Sequence, residues 1–465
     1  FERIDGFCFA GSYYVRYPER TRALEGYIQE LPQFKPLDIY DRQYGGTDPN
    51  YMFPEKYHPF IKGNLPYDQI DKAYKGYRYS INLSSMNQAQ YLPRRVYELM
   101  ACNTLVLSAY SRGVHVQMGD LTILSDSPKE IIRRIKSLES EPSGVDKLRL
   151  AALRKVMSES TYQDRLAYIV AKVCDVRLPD LLPAVYVVAR ADTGEQAEAI
   201  YASYTRQYYT GKHLLLISEA VPHSFHTDKN VRVYSVEEAA SVLGGLPEHS
   251  WVACFAPEDF YGANYLTDIM LATRYTKAEL IGKAAFYTFA EDKIELKGAD
   301  SYRGTEQLPA RRAAVEVSFL QKEALLMLDK DTVLSCENGF SIDRFNYLEN
   351  GANASAEETI SLCDRENINT GIPVAQMYEY AEKARPLQQD DSNIPSLAKK
   401  SLFDEFTAKA PSSFMEVSST SEGLFHLHST LPLDKHEYLY GKSFFDLEKI
   451  APHSNTVKLH LETSL

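Results

Sequence analysis

Apolar and polar residues change period several times along the chain, and the changes mark out its elements. Residues 3–10 are largely apolar, Gly11-Ser12-Tyr13-Tyr14 breaks the run, and residues 19–31 carry Leu24, Tyr27, Ile28 and Leu31 at helical spacing. Strand, tight loop and helix are predicted in that order. The alternation continues through 36–40, helical 67–75, strand 79–83, helical 94–102, strands 105–109 and 121–124, and helical 128–138. Residues 148–173 close the unit as one or two helices. Alternating β and α units predict a parallel sheet with helices on both faces.

The pattern restarts near 179–183, with strand 184–189, helix 195–208, strands 213–217 and 231–234, helix 236–243, strand 251–255 and helix 264–275. Residues 357–384 read as helical and 386–399 as a polar connector. The end differs: 414–419, 424–429, 437–440 and 457–462 alternate apolar with polar residues, predicting a small antiparallel sheet. His426 and His428, with His436 nearby, read as exposed strand histidines. Three domains are expected, at 1–178, 183–385 and 400–465.

Composition narrows the function classes. With 44% hydrophobic and 25% charged residues over 465 positions, the chain is neither disordered nor fibrous. Its best apolar run, 181–189, contains Pro183 and falls well short of the roughly 18 residues a membrane span needs. The six cysteines have no paired spacing, which predicts reduced thiols and a cytoplasmic location. A net charge of -12 argues against nucleic acid as a partner. The first 180 residues sum to about +3 and the rest to about -15, so an anionic ligand is expected on the first part. No phosphate loop, dinucleotide glycine fingerprint or nucleophile elbow occurs, so kinase, nicotinamide and serine-hydrolase readings fall. The chain opens on Phe1 and is expected to be a fragment.

The stretch Pro93-Arg94-Arg95-Val96-Tyr97-Glu98-Leu99-Met100-Ala101-Cys102-Asn103 predicts a helix and a tight turn before a buried strand. A carboxylate at the carboxyl end of a parallel sheet can accept both ribose hydroxyls of a nucleotide, while Arg94 and Arg95 face a diphosphate. Gly11 and Ser12 allow a phosphate to approach the backbone before a helix amino terminus. Together with Phe9-Ala10-Gly11-Ser12-Tyr13-Tyr14, Arg20 to Glu25 and Ser80-Ile81-Asn82-Leu83, this stretch resembles the donor-binding domain of GT-B glycosyltransferases, most closely the CgeB-like spore-maturation branch. The resemblance spans about residues 1–175 and implies a Rossmann-like half-domain, with Glu98 on the nucleotide ribose and Arg95 on the phosphate side. It departs from the family at Gln90, where retaining members carry a second Glu, at Asn103 in place of Gly, and at Leu105 in place of Pro. An amino-terminal acceptor domain, or a partner replacing it, is expected to be missing.

A second group follows the restart. The strand at 184–189, the helix ending in Arg206-Gln207-Tyr208-Tyr209, and the strand at 213–217 resemble the opening of family-2, GT-A-type glycosyltransferases. In that superfamily the strand corresponding to 251–255 ends in an acidic metal-binding cluster; its first acid is Ala256 here, leaving Glu258 and Asp259 to hold Mn2+ or Mg2+. Asp343 is the candidate general base. Plainer roles stay open: a solvated helix carboxylate for Glu98, a surface basic pair for Arg94 and Arg95, a turn for Gly11, and a helix cap for Glu258 and Asp259. The reading is α/β throughout, a GT-B half-domain, then a GT-A-like domain, then the β module. It implies transfer of a sugar from a nucleoside-diphosphate donor to a glycan or protein-linked acceptor in cell-surface or spore polysaccharide assembly. The alternatives are a noncatalytic carbohydrate-binding scaffold and a sugar-nucleotide epimerase.

Overall fold

Strand β1 (Ile4–Gly11) buries its last six residues, as a strand covered on both faces does. Helix α1 (Pro18–Glu30) returns the chain, β2 (Leu37–Asp41) and β3 (Ile61–Gly63) follow, and α2 (Ile70–Gly76) leads into β4 (Tyr77–Asn82). Then come α3 (Arg94–Ala101), β5 (Leu105–Ser108), α4 (Arg112–Met118), β6 (Ile123–Leu124) and α5 (Pro128–Ser140). The strands stand in the order β3-β2-β1-β4-β5-β6, with every pair parallel. The winding reverses between β1 and β4, which opens a crevice at the carboxyl ends of those two strands. The computed structural model describes residues 2–83, 92–176, 181–225, 228–298, 301–320, 325, 327–365, 368–383, 415–419, 425–429 and 457–461.

The helical stretch after α5 is two helices, α6 (Gly144–Glu159) and α7 (Tyr162–Cys174). Thr161 and Asp164 cap α7 reciprocally, which fixes the break. These helices fasten the first sheet to later parts of the chain. Arg154 of α6 pairs with Asp268 through two hydrogen bonds of 2.8 and 3.0 Å and reaches Asp364 at 2.8 Å. Arg274 grips Asp164 of α7 at 2.8 Å through each of two nitrogens.

The second sheet begins with β7 (Val185–Arg190), α8 (Gly194–Arg206), β8 (Lys212–Ile217), β9 (Val231–Tyr234), α9 (Val236–Gly244) and β10 (Trp251–Cys254). After β11 (Phe260–Tyr261) and α10 (Tyr265–Ala272) come β12 (Leu280–Gly282), β13 (Phe286–Ala290), β14 (Lys293–Lys297), β15 (Arg303–Pro309), β16 (Ala313–Glu316), β17 (Val333–Ser341) and β18 (Tyr347–Glu349). Eight strands order as β15-β17-β12-β16-β10-β7-β8-β9, and β11-β18-β13-β14 form a smaller sheet. β16 runs antiparallel to both β10 and β12, so β12 and β17 share the direction of β10. The sequence pattern predicts none of the seven strands from β12 to β18. β12 and β16 are too short to show a period, and β14 and β15 are mostly exposed.

The single helix expected over 357–384 is instead Ala356–Leu362 and Val374–Lys383. Gly371 at φ 73° and Pro373 separate the two, because neither fits a helix interior. Phe1–Tyr380 forms one compact unit and Ala381–Leu465 another. In the latter, Met415–Ser419, Phe425–Ser429 and Val457–Leu461 pair antiparallel as expected, with His426 opposite His460 in register. The strand expected at 437–440, His436 and the connector at 386–399 lie outside the described residues. All six cysteines are free thiols. No described helix is long and apolar enough to cross a membrane.

Candidate functional site

At the first crevice, Gly11 ends β1 directly opposite Asp41, the last residue of β2. A Cβ on Gly11 would stand 2.8 Å from the Phe9 ring, so packing closes that position to any side chain. Ser12 follows, 1% exposed, with its hydroxyl lacking a hydrogen-bond partner among the described residues. Its carbonyl accepts from Arg20 Nη1 at 3.0 Å. Arg20 is buried in the first turn of α1 with its guanidinium 4.5 Å above the Tyr14 ring. Burial lowers the Arg20 pKa to about 10, and the nearby guanidinia of Arg95 and Arg42 press the same way. Arg42 in turn donates to the Tyr14 hydroxyl at 2.5 Å. Arg20, which holds the Ser12 carbonyl, thus has two further like charges near it, an arrangement relieved by an anion.

Arg95, the arginine expected on the phosphate side, is half-buried beside Tyr74. Glu98 lies one turn further along α3, half-exposed, and binds Arg94 Nε at 2.8 Å. The structure therefore gathers Gly11, Ser12 and Arg95 with Arg20, while Glu98 forms an ion pair within its own helix. Asp41 is the residue the sequence reading missed. Burial pushes its carboxyl up, opposed by the Gln43 N–H, which donates at 3.0 Å, and by Arg42. An acid ending the second strand of a βαβ unit was the available signal. Asn82 and Ser108 close the ends of β4 and β5 with a neutral 3.0 Å hydrogen bond. Gln90 lies outside the described residues.

The carboxyl edge of the second sheet gathers the other candidates in a different state. Asp259 is buried, and both of its oxygens are engaged. Arg311 donates from Nε at 2.8 Å and from Nη2 at 2.5 Å, Tyr347 Oη donates at 2.8 Å, and the Asn350 N–H donates at 2.8 Å. Glu258 accepts from Arg311 at 3.1 Å and from Lys330. Burial alone would raise the Glu258 carboxyl, but Lys330 and Arg311 hold it below its ordinary range. Asp343 is buried against Lys283, whose side chain is fully buried; Lys283 Nζ donates to Asp343 Oδ1 at 2.9 Å, and the Phe345 N–H donates to the same oxygen at 2.8 Å. The Lys283 N–H donates to the Arg312 carbonyl at 3.0 Å, so the two ion-pair clusters adjoin. Arg311 and Lys283 are the functional partners that sequence reasoning did not foresee; they come from strand ends far away in the chain.

These contacts bear on the expected metal. Glu258 and Asp259 as placed do not fit a divalent ion, because the positive charge between them is the Arg311 guanidinium. Among the described residues, no group of three or more His, Cys, Asp or Glu side chains stands together as a ligand set. Asp343 likewise serves as the counter-ion of Lys283.

A glycosyl transferase-like family model matches residues 29–171. Among solved structures, residues 1–349 of TarS from S. aureus align at 10% identity and a TM-score of 0.26, covering 36% of this chain and 60% of that chain. A likeness so slight supports no statement on fold or function. No curated protein matches. The matched stretch takes in β2 to β6, with Asp41, Arg42, Arg95 and Glu98, and so includes the β4 side of the first crevice, while β1, Gly11, Ser12 and Arg20 precede it.

Proposed function

We propose that the protein is a glycosyltransferase that takes a sugar from a nucleoside-diphosphate donor, with the nucleotide held at the crevice between β1 and β4. The observation that carries this reading is the family match over 29–171, which includes Arg42 and Arg95, the two guanidinia that stand near the buried Arg20. Arg20, Arg42 and Arg95 would neutralise the diphosphate and stabilise the charge that develops on it as the glycosidic bond to the sugar breaks. The Ser12 hydroxyl offers one further donor to a phosphate oxygen. Asp41 stands where a carboxylate can accept a ribose hydroxyl, and Glu98 is the residue that the CgeB-like resemblance puts in that role.

The finer parts of the reading are a GT-A-like second centre, a glycan or protein-linked acceptor, a role in cell-surface or spore polysaccharide assembly and a cytoplasmic location. No metal step is assigned to the second centre, since Arg311 already occupies the acids expected to hold the ion. That occupancy favours one alternative, a second domain that binds carbohydrate without catalysing transfer.

The test is a panel of UDP-, GDP-, CDP- and dTDP-sugars offered to the full chain, with binding and release of free nucleotide both measured. A transferase releases nucleoside diphosphate with one of them, and more so when a glycan acceptor is added. Return of an isomeric nucleotide sugar would identify an epimerase, and binding without release a scaffold. Unchanged affinity in both Arg95→Ala and Glu98→Ala would remove the nucleotide from this crevice.

A further inference from the structure

A second cleft, of about 940 Å3, opens at the amino-terminal edge of the first sheet, away from Gly11. One wall comes from the first sheet and its helices: Arg3 and Arg78 at the starts of β1 and β4, the Cys102-Asn103 turn before β5, and Arg149 of α6. The other wall comes from the carboxyl edge of the second sheet, with Arg303, Phe340 and Arg344 together with Tyr275 and Ser301. Its size lies within the range of small-molecule sites.

The charges in the cleft do not balance. The lining carries Arg3, Lys75, Arg78, Arg149, Arg303 and Arg344 against Glu2, Asp146 and an Asp343 held by Lys283; Asp146 is shared by Arg149 at 3.1 Å, Arg344 at 3.0 Å and Arg78 at 3.5 Å, the last also reaching Asp5 at 3.6 Å. Arg3 donates to the Tyr77 and Cys102 carbonyls and the Thr104 hydroxyl, all of them uncharged. Burial draws the Arg149 guanidinium below its ordinary pKa despite Asp146. Such a wall attracts an anion with more than one negative charge.

A second, independent observation concerns neutral polar atoms. Asn103 holds a left-handed φ of 54°, a conformation glycine adopts more readily. It is 7% exposed, and its Oδ1 has no hydrogen-bond partner among the described residues. The Ser301 hydroxyl, also lining the cleft, is likewise buried without a partner. A buried acceptor left unpaired costs about 1–3 kcal/mol, a cost that a ligand hydroxyl would remove. Phe340 and Tyr275, packed edge to face at 6.1 Å, add an apolar surface suited to the C–H face of a sugar ring.

We infer that this cleft is a binding site for a phosphorylated sugar, with the phosphate against Arg78, Arg149 and Arg344 and a sugar hydroxyl donating to Asn103 Oδ1. The inference does not depend on the nucleotide reading of the first crevice, whose residues lie at the opposite edge of the sheet. Two sources share this chemistry, the sugar-phosphate portion of a donor and a phosphorylated acceptor.

Calorimetric titration of the full chain with glucose 1-phosphate tests it, with inorganic phosphate and glucose as controls. The expected result is saturable binding at millimolar concentration or below, weakened about tenfold in Arg78→Gln, which removes one charge-assisted contact. Asn103→Gly keeps the backbone conformation and removes only the carboxamide. It should weaken glucose 1-phosphate several-fold and leave inorganic phosphate unchanged, a difference that a merely structural role would not produce. Arg95→Gln should leave glucose 1-phosphate binding as it is. Competition by UDP-glucose would assign the phosphate to a donor, and its absence to an acceptor; the cleft stands in either case. Lack of saturable binding, equal affinity in Arg78→Gln and Asn103→Gly proteins of unchanged circular dichroism, or loss of binding in Arg95→Gln would each overturn the inference.

Discussion

The carboxyl ends of the two sheets in the first unit carry similar charged residues in opposite states. Around Ser12, Arg20 has the guanidinia of Arg95 and Arg42 nearby, and the acid at the adjoining strand end is Asp41, whose carboxyl burial pushes up. Around Asp259 every charge is answered, Arg311 by Asp259, Glu258 and Asp331 and Lys283 by Asp343. Unsatisfied charge at an edge open to solvent is a means of binding an anion. Satisfied charge in the interior is a means of fixing loops, and its removal exposes how much desolvation it was compensating. The comparison teaches that a row of acids and bases at strand ends is a site only where something is left unanswered.

The largest effects should come from breaking the answered set. Asp259→Ala removes the one fully buried acid on the Arg311 guanidinium, leaves the Tyr347 hydroxyl without its acceptor, and should cost about 3 kcal/mol, read from denaturant unfolding of the full chain. Lys283→Met should cost a similar amount by leaving Asp343 without its counter-ion, and adding Asp343→Leu should restore part of the loss. A cost under about 1 kcal/mol for Asp259→Ala would mean that Lys330, Tyr347 and Asn350 rearrange to release the site.

A middle-sized effect belongs to the unanswered set and appears in binding. Arg95→Ala should weaken the nucleotide-sugar that binds by about tenfold, or about 1.4 kcal/mol, while changing unfolding stability by less than about 0.5 kcal/mol. Asp41→Asn should act in the same direction if that carboxyl meets the ribose, whereas Glu98→Gln should cost only the exposed pair with Arg94, about 0.3–0.5 kcal/mol of stability.

Acid sharpens the contrast further, since Asp364 and Glu258 respond with the opposite sign to Asp41. Burial would raise the Asp364 carboxyl, but Arg154, Asn264 and Asn346 hold it below its ordinary value, as Lys330 and Arg311 hold Glu258. For these groups the unfolded chain takes up protons first as the pH falls. Their contribution is therefore complete above about pH 5.5 and is lost as the pH drops through the lowered folded values. Asp41, raised by burial, behaves in reverse: it favours the folded state at low pH and loses that advantage as the pH rises past its ordinary value. Melting temperatures of wild type, Asp41→Asn and Asp364→Asn between about pH 3 and 6 check both signs. The smallest expected effect is nil: Mn2+ should leave the melting temperature unchanged, because Arg311 occupies Glu258 and Asp259. A rise would show that Lys330 and Arg311 give way to the ion.

The hydrophobic periods were enough to place the strands and helices of residues 4–140 apart from the short β3 and α4, and the four parallel strands β7 to β10. A strand buried on both faces must be apolar throughout, and a covering helix must repeat near 3.6 residues, so both patterns are written locally. The loop after β1 and the Arg94-Arg95 pair could be singled out in the sequence as candidates for an anion site, whereas the pairing of Arg94 with Glu98 could not. What the sequence could not declare is which charges meet. Arg311 reaches Asp259 across 52 positions and Lys283 reaches Asp343 across 60, while Arg78 and Arg344 come to one carboxylate from different sheets. The pairing of strands with no readable period brings those residues together. Burial then decides whether an acid is a ligand or a counter-ion, since the cost of desolvating a charge depends on its neighbours in space rather than on its neighbours in the chain.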